Sequence, residues 1–535
     1  MYATNYDAEN KLWTGNDYTP LFHPKISLGQ VFQRFMKVNG SNLAQICDDT
    51  GERMDYNEMW LKTVRAAQNL RKLGYSKGDV FSYSVMDRHV APVIYAAFCL
   101  GCPVNTISPS FGKSDMIHVL RIAKPKLMFC DVERHHFVSD CLLEAELDAK
   151  IITFGGSTMH SYPVENLFVG TGMEHTFLPT PVDGAKDVAA LVCSSGTTGL
   201  CKIVALSHMN IVEGCGNITS LHAGDIHYCP GLFYWISGLY IFVLGVIHGA
   251  TGVVTKKPFS TDLQIRLVQK HRISFLMNSP HHLVMTLKNE AIKTADLSSI
   301  KCYFVGGNRM PLGAPAEINK LLSNGKLVTA YGQTELSLLV SGTFERIVEE
   351  DHVGQLAKGV TVKIVDDVGA RCGVGIDGEI CVKTCHPFLY YYGNEEATTN
   401  AFDNEGFLLT GDVGRFDENG DLHIVDRLKE IFKSNNFNIN PSEIESFLIQ
   451  LPDIESVCVL GIPDASVGDW PAAAVVRKKN STITERDIYD MVAKNFDDYK
   501  HLRGGVHFLD AFPFSVGGKF LRRQIRNTVV RLSNS

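Results

Sequence analysis

The stretch Ser194-Ser195-Gly196-Thr197-Thr198-Gly199-Leu200-Cys201-Lys202 concentrates groups able to hold an anion. It follows the apolar run Ala189-Ala190-Leu191-Val192-Cys193, which reads as a buried strand. A strand that empties into Ser, Gly and Thr leaves its next amides free to point at a charged ligand. Gly196 and Gly199 permit backbone angles closed to other residues, so a phosphate can approach the main chain. The hydroxyls of Ser195, Thr197 and Thr198 add donors, and Lys202 adds a mobile positive charge. The order is G-x-x-G-x-x-K, not the common G-x-x-x-x-G-K-[ST] with adjacent Gly and Lys. The composition is that of a polyphosphate cradle. Taken alone it also fits an ordinary polar surface loop.

Two more loops carry suitable chemistry. Gly306-Gly307-Asn308 follows the apolar Tyr303-Phe304-Val305, and Tyr331-Gly332-Gln333-Thr334-Glu335 follows Leu327-Val328-Thr329-Ala330. With Ser274-Phe275-Leu276-Met277, these read as short strands, each followed by a loop and a helix-like stretch. Earlier in the chain, Asn57 to Leu73 reads as an amphipathic helix stopped by Gly74. Val80 to Ser84 reads as a strand, and Val90 to Leu100 as an apolar helix closed by Gly101. Alternation of this kind predicts mostly parallel sheets covered by helices. Ligands in such sheets sit beyond the carboxyl ends of the strands, so the three loops are expected together at one end of a sheet.

At 535 residues the chain exceeds one ordinary core and predicts two or more domains. From about Thr361 the pattern changes to short hairpin strands such as Gly378-Glu379-Ile380-Cys381-Val382, and Asp417 to Asp421 reads as a hairpin turn too short to wrap calcium. The last hundred or so residues form a smaller α/β pattern: Val457 to Leu460, Ala472 to Val476, a helix near Arg486 to Asn495, and Val506 to Leu509. The fold class expected is therefore α/β, with a large N-terminal domain of mostly parallel sheets plus a β-rich subdomain at 1–426 and a small mobile C-terminal α/β domain at 427–535.

A net charge of -7 without a basic block argues against a nucleic-acid partner. The 14 cysteines are too sparse for a disulfide scaffold and no secretory leader opens the chain, so they are read as reduced thiols. Cys99 and Cys102 form a lone C-x-x-C inside an apolar helical run and read as core packing. Pro230 to Val254 is nearly uncharged, yet its glycines mark a buried turn, helix and strand in place of a membrane span.

Together these segments resemble the adenylate-forming superfamily of acyl-CoA synthetases, adenylation domains and beetle luciferases. The cradle is similar to that family's S-S-G-T-T-G-x-P-K-G, Tyr331 to Glu335 to its Y-G-x-T-E, and Thr410-Gly411-Asp412 to its (T/S)-G-D. Ile424-Val425-Asp426-Arg427 resembles the family hinge, and the stretch from Phe432-Lys433 to Glu445 and the Gly518-Lys519 pair resemble its last two motifs. The overall look is nearest to insect luciferase-like fatty acyl-CoA synthetases.

The resemblance implies an ATP- and Mg²⁺-dependent ligase that turns a medium- or long-chain fatty acid into acyl-AMP, releases pyrophosphate, and transfers the acyl group to CoA. Anionic nucleophile, phosphate and leaving group make charge the barrier, which preorganised donors and a divalent ion lower. By resemblance Ser195, Gly196, Thr197, Thr198, Gly199 and Lys202 hold the β- and γ-phosphates, Thr334 contacts the α-phosphate, and Glu335 holds Mg²⁺. Asp412 takes both ribose hydroxyls and Arg427 assists, while Gly307, Asn308, Ala330, Tyr331, Gly332 and Val425 complete the nucleotide site. Tyr234, Trp235 and Gly306 belong to the acyl pocket. Lys519 reaches between carboxylate and α-phosphate, and Lys433 serves the thioester step after the C-terminal domain turns about Asp426.

Three positions depart from the family pattern: Cys201 stands for proline, Ile203 for glycine, and Asn436 where glycine is common. Trp235 falls where luciferases carry a histidine, and an indole there either narrows the tunnel, the favoured reading, or simply packs. The C-terminal Arg531-Leu532-Ser533-Asn534-Ser535 is not an S-K-L type address, so the cytoplasm is expected and the peroxisome rests on resemblance alone. Two alternatives stay open: a luciferin-type adenylation and oxygenation, and a nucleotide-binding pseudoenzyme without turnover.

Overall fold

The computed structural model describes residues 2–87, 89–194, 201–216, 218, 220–231, 233–308, 310, 313–337, 339–347, 352–434, 437–464, 468–513 and 520–533. Two large sheets share one core. In the first, Val188–Ser194, Val104–Thr106, Phe81–Ser84, Leu127–Asp131, Lys150–Phe154 and Tyr162–Pro163 run parallel. Lys202–Ser207 returns antiparallel beside Val188–Ser194, and Tyr390–Tyr391 pairs antiparallel beyond it. In the second, Lys326–Tyr331, Cys302–Gly306, Phe275–Asn278, Ile226–Tyr228, Thr251–Val254 and Leu43–Cys47 are parallel, flanked by short antiparallel strands.

Apolar side chains from both sheets, Tyr83 and Val192 from one and Phe275 and Phe304 from the other, meet in one cluster with the helices between them. This explains Val90–Leu100, every residue of which is buried. A helix apolar all round belongs in the interior of a large protein. Its stop at Gly101, φ 71°, is left-handed, an angle glycine adopts without a Cβ clash. Tyr56–Lys72 is likewise a helix, started by the Asp55 side chain accepting from the Glu58 amide. Pro230 to Val254 resolves into the helix Ile236–His248 and the strand Thr251–Val254, both interior. No helix among the described residues is long and apolar enough to cross a membrane. Cys99 and Cys102 are both buried in the core.

One expectation is corrected. The cradle's strand lies in the first sheet, whereas the strands before Gly306 and Tyr331 lie in the second. The three loops do not share one sheet end; Ser194, Gly307, Asn308 and Gly332 meet across the seam between two sheets. Nor does a full helix follow Lys326–Tyr331. A single turn, Thr334–Leu336, ends at Ser337 in the left-handed region (φ 59°), and the chain returns as an antiparallel strand.

The β-rich part is a six-stranded antiparallel sheet containing Thr361–Val365, Gly378–Lys383, Leu408–Phe416 and Leu422–Arg427. The N-terminal strands Asn5–Asp7 and Leu12–Thr14 join its edge, where Trp13 stacks between Tyr6 (4.8 Å) and Phe416 (4.7 Å). Asp417 to Asp421 forms the turn between two of its strands. The C-terminal segments form a separate sheet of Ile454–Asp464, Gly468–Arg477, Val506–Phe508, Phe432–Ser434 and Phe437–Ile439, with an apolar cluster on each face.

One buried charge pins the second sheet. Asp48, just past Leu43–Cys47, accepts from Arg266 (2.6 Å), Lys270 (2.8 Å) and His271 (2.9 Å) of the helix Thr261–His271. The Arg266 hydrogen bond, opposed by burial, holds its carboxyl well below the usual carboxylate range. Such a group stabilises the fold above about pH 4, its unfolded value, and loses that contribution as pH falls toward the folded value. Asp48→Asn is expected to cost about 1–3 kcal/mol near neutrality, with the gap to wild type closing on acidification. Melting temperature followed against pH checks this.

Candidate active site

The hairpin Leu408–Phe416/Leu422–Arg427 places Asp412 opposite Arg427, next to a bulge at Val413/Gly414. Bulges re-aim side chains. Here Asp412, 3% exposed, directs its carboxylate off the sheet. Its Oδ1 lies 2.7 Å from Arg427 Nε, and its Oδ2 accepts from Tyr331 Oη at 2.7 Å and Gln333 Nε2 at 2.6 Å. The neighbours of Asp412 in the triplet serve it. Thr410 Oγ1 donates to the Ile380 carbonyl and accepts from the Asp412 amide, while Gly411 takes φ 68°, a left-handed angle that favours glycine.

Electrostatics follow the contacts. Burial works most strongly against the Arg427 charge, but Asp412, Tyr331, Glu430 and Glu335 together outweigh it and raise the guanidinium above its ordinary value. Burial, then the Asp412 charge, push the Tyr331 phenol far up, so it remains a donor. The knot ties the antiparallel sheet to the loop after Tyr331. Gln333 was given no role from sequence, because it occupies the variable position of Y-G-x-T-E.

Glu335, 9% exposed, sits on the turn Thr334–Leu336. Tyr391 Oη donates to its Oε1 at 2.9 Å, and Oε2 has no partner among the described residues. Lys202 Nζ stands 4.4 Å from the centroid of the Tyr391 ring. Tyr391 was not singled out in the sequence; its place becomes visible only through the pairing Val204↔Tyr391.

A cavity of about 1210 Å³ opens between the two sheets, the antiparallel hairpin and the C-terminal domain. Gly307, Asn308, Ala330, Tyr331, Gly332, Asp412, Val425 and Arg427 line it, as do Tyr234 and Trp235 of the expected acyl pocket. Tyr234 and Trp235 pack with ring centroids 4.5 Å apart. Gly306 lies off the wall, where a Cβ would come 3.0 Å from the Ala330 carbonyl, so strand packing accounts for it. Thr334, Glu335 and Lys202 are not among the residues lining the cavity, and Lys433 is exposed on Phe432–Ser434. Ser195, Gly196, Thr197, Thr198, Gly199 and Lys519, with Asn436, lie outside the described residues. Cys201 lines the cavity, and Ile203 is buried in the hairpin opposite Cys193.

The C-terminal domain meets the cavity through Phe520, Leu521 and Arg522. Leu521 donates its amide to the Pro513 carbonyl at 2.9 Å, bracketing the segment that carries Lys519. Arg522 is bound to Glu445 (2.5 Å), Glu430 (3.0 Å) and the Val459 carbonyl (3.0 Å). Burial raises the Glu445 carboxyl, and Arg522 opposes that rise. Replacing Arg522 with Met would strand Glu445 without its cation, and is expected to cost about 3–5 kcal/mol. Calorimetric unfolding that matches wild type would contradict this. At the expected hinge position, Asp426 accepts from the Arg427 amide (2.8 Å) and the Ser442 amide (3.0 Å) at the start of the helix Pro441–Leu448. A carboxylate there also complements the helix dipole.

The model of the AMP-binding enzyme family matches residues 32–392, and that of the AMP-binding enzyme C-terminal domain matches residues 443–519. The chain belongs to the AMP-binding enzyme family. A relative, the 4-coumarate–CoA ligase 3 of Arabidopsis thaliana, is 30% identical over 90% of this chain and 87% of its own length. The luciferase-like enzyme from the nonluminescent Zophobas morio mealworm superposes with a TM-score of 0.72 at 26% identity, covering 78% of this chain and 99% of that one. ATP-bound MatB from Rhodopseudomonas palustris shares the fold, with a TM-score of 0.84 at 22% identity over 95% of this chain and 100% of its own. The AMP-binding enzyme described here thus has the mixed α/β architecture of adenylate-forming proteins, with its charged knot on the wall of the cavity between the sheets.

Proposed function

We propose that this AMP-binding enzyme joins a carboxylic acid to CoA at the cost of ATP, through an acyl-AMP intermediate. One observation supports this most: a buried carboxylate, Asp412, faces the cavity with three donors, Arg427, Tyr331 and Gln333, converging on it. A carboxylate offers two acceptor oxygens, which suits the paired hydroxyls of a ribose. On this reading Arg427 and Tyr331 hold Asp412 aimed, Thr334 and the 195–202 segment hold the phosphates, and the cavity excludes water from the anhydride.

Glu335 suits Mg²⁺. It presents a carboxylate oxygen without a described partner, and hard cations take oxygen ligands. When bound, the ion would offset phosphate charge as the acid attacks. Lys519 would stabilise the attack on the α-phosphorus. Residues 427–535 would then turn about Asp426, withdraw Lys519 and bring exposed Lys433 toward the site for thioester formation with CoA. The retained charged contacts favour turnover over a nucleotide-binding pseudoenzyme.

A medium- or long-chain fatty acid is the first reading of the acid. An aromatic acid is the second, favoured by the Tyr234–Trp235 wall and by the 4-coumarate–CoA ligase name of the relative. A panel of fatty and arylpropenoic acids with ATP and CoA, read by AMP release, tests both. Acid-independent AMP release across the panel would overturn the ligase reading. Trp235→Ala is expected to shift preference toward bulkier acids by at least about tenfold in kcat/KM, since a single methylene in an apolar pocket is already worth that much.

A further inference from the structure

The segment from Phe388 to Tyr392 joins the two halves of the phosphate site. Its main chain pairs with the strand that Lys202 begins: the Leu389 amide donates to the Ala205 carbonyl (2.9 Å) and the Tyr392 amide to the Ile203 carbonyl (2.7 Å). On its other side the Phe388 amide donates to the Glu335 carbonyl (3.0 Å). Lys202 belongs to the first large sheet, and Glu335 follows a strand of the second. At their junction stands Tyr391, 9% exposed, with its hydroxyl on the Glu335 carboxylate and its ring beneath the Lys202 ammonium.

Packing alone does not account for this residue. The contact of its ring with Phe388, centroids 4.9 Å apart, would be kept by phenylalanine. The hydroxyl, in contrast, sits on a buried carboxylate, where a charge-assisted hydrogen bond is stronger than in water and its loss leaves charge uncompensated. Glu335 rides on one turn and not on a long helix, so its main chain fixes its side chain weakly. The Lys202 stem has many rotamers, and an aromatic face restricts where its charge rests.

We propose that Tyr391 is the positioning residue of the phosphate site: its hydroxyl aims Glu335 at the divalent ion, and its ring seats Lys202 for the phosphates. The inference rests on the reading that Glu335 holds Mg²⁺ and Lys202 the phosphates. Tyr391 acts before chemistry, by presenting both charges in place and leaving the second oxygen of Glu335 to the ion.

The test uses the full chain and calorimetric titration with ATP, without acid, in Mg²⁺ and in EDTA. Tyr391→Phe keeps the ring and removes the hydroxyl. It is expected to weaken ATP binding roughly tenfold in Mg²⁺ and to leave binding in EDTA unchanged. Tyr391→Leu removes the ring as well and is expected to lose about fivefold in EDTA too. Melting temperatures within a few degrees of wild type for Tyr391→Phe accompany this result. Wild-type affinity of Tyr391→Phe in Mg²⁺, or equal losses in both media, would overturn the proposal. Glu335→Gln separates the two layers: if it abolishes the Mg²⁺ dependence and Tyr391→Phe leaves that dependence at the wild-type level, only the role of Tyr391 falls. If Glu335→Gln leaves the Mg²⁺ dependence intact, the metal reading falls and takes the role of Tyr391 with it.

Discussion

Asp412→Ala is expected to weaken ATP binding roughly a hundred- to thousand-fold, corresponding to about 3–4 kcal/mol. Two losses add. The ribose would lose its paired acceptor, and Arg427, Tyr331 and Gln333 would lose the carboxylate that orders them. A structural effect alone would lower affinity for every nucleotide equally. The proposed role predicts more: wild type discriminates ATP from 2′-deoxy and 3′-deoxy ATP, and Asp412→Ala does not. Asp412→Asn, which keeps the size and loses the charge, is expected to fall between them. Titration of the three nucleotides into each protein gives the answer. Retained discrimination by Asp412→Ala would remove the ribose role.

Lys519→Ala is expected to lower acid-dependent exchange of labelled pyrophosphate into ATP by roughly a hundred- to thousand-fold, the usual effect of deleting one donor to a developing charge. ATP affinity should hardly change, because the lysine is asked to act in the transition state. The proposed geometry is specific about where the loss appears: in kcat, not in the KM for ATP. Exchange at the wild-type rate would remove Lys519 from the chemistry, whatever its neighbours do.

The sequence was most legible where local rules and burial agree. Val90–Leu100 has both ends where the apolar run and Gly101 put them, because a left-handed stop requires a residue like glycine. The T-G-D triplet is readable for the same reason: Gly411 takes a left-handed turn and Asp412 follows it into the core. Sheet membership was not readable. Val188–Ser194 and Cys302–Gly306 are both buried apolar strands, and nothing local tells which sheet each joins. Asn5–Asp7 is short and exposed and is a strand only because Leu12–Thr14 and the sheet beyond it supply partners. Gln333 and Tyr391 escaped for a related reason: each gains its role from a contact far along the chain, 79 residues away to Asp412 and 56 to Glu335.

On the proposed reading one cavity serves two half-reactions because the C-terminal domain turns at Asp426 and exchanges Lys519 for Lys433. Supplying preformed acyl-AMP and CoA isolates the second half-reaction, so the rate of thioester formation in Lys519→Ala and Lys433→Ala tests it directly. Lys519→Ala is expected to form the thioester at a near wild-type rate, and Lys433→Ala to show a large loss. Equal losses in both variants, or the reverse order, would contradict it.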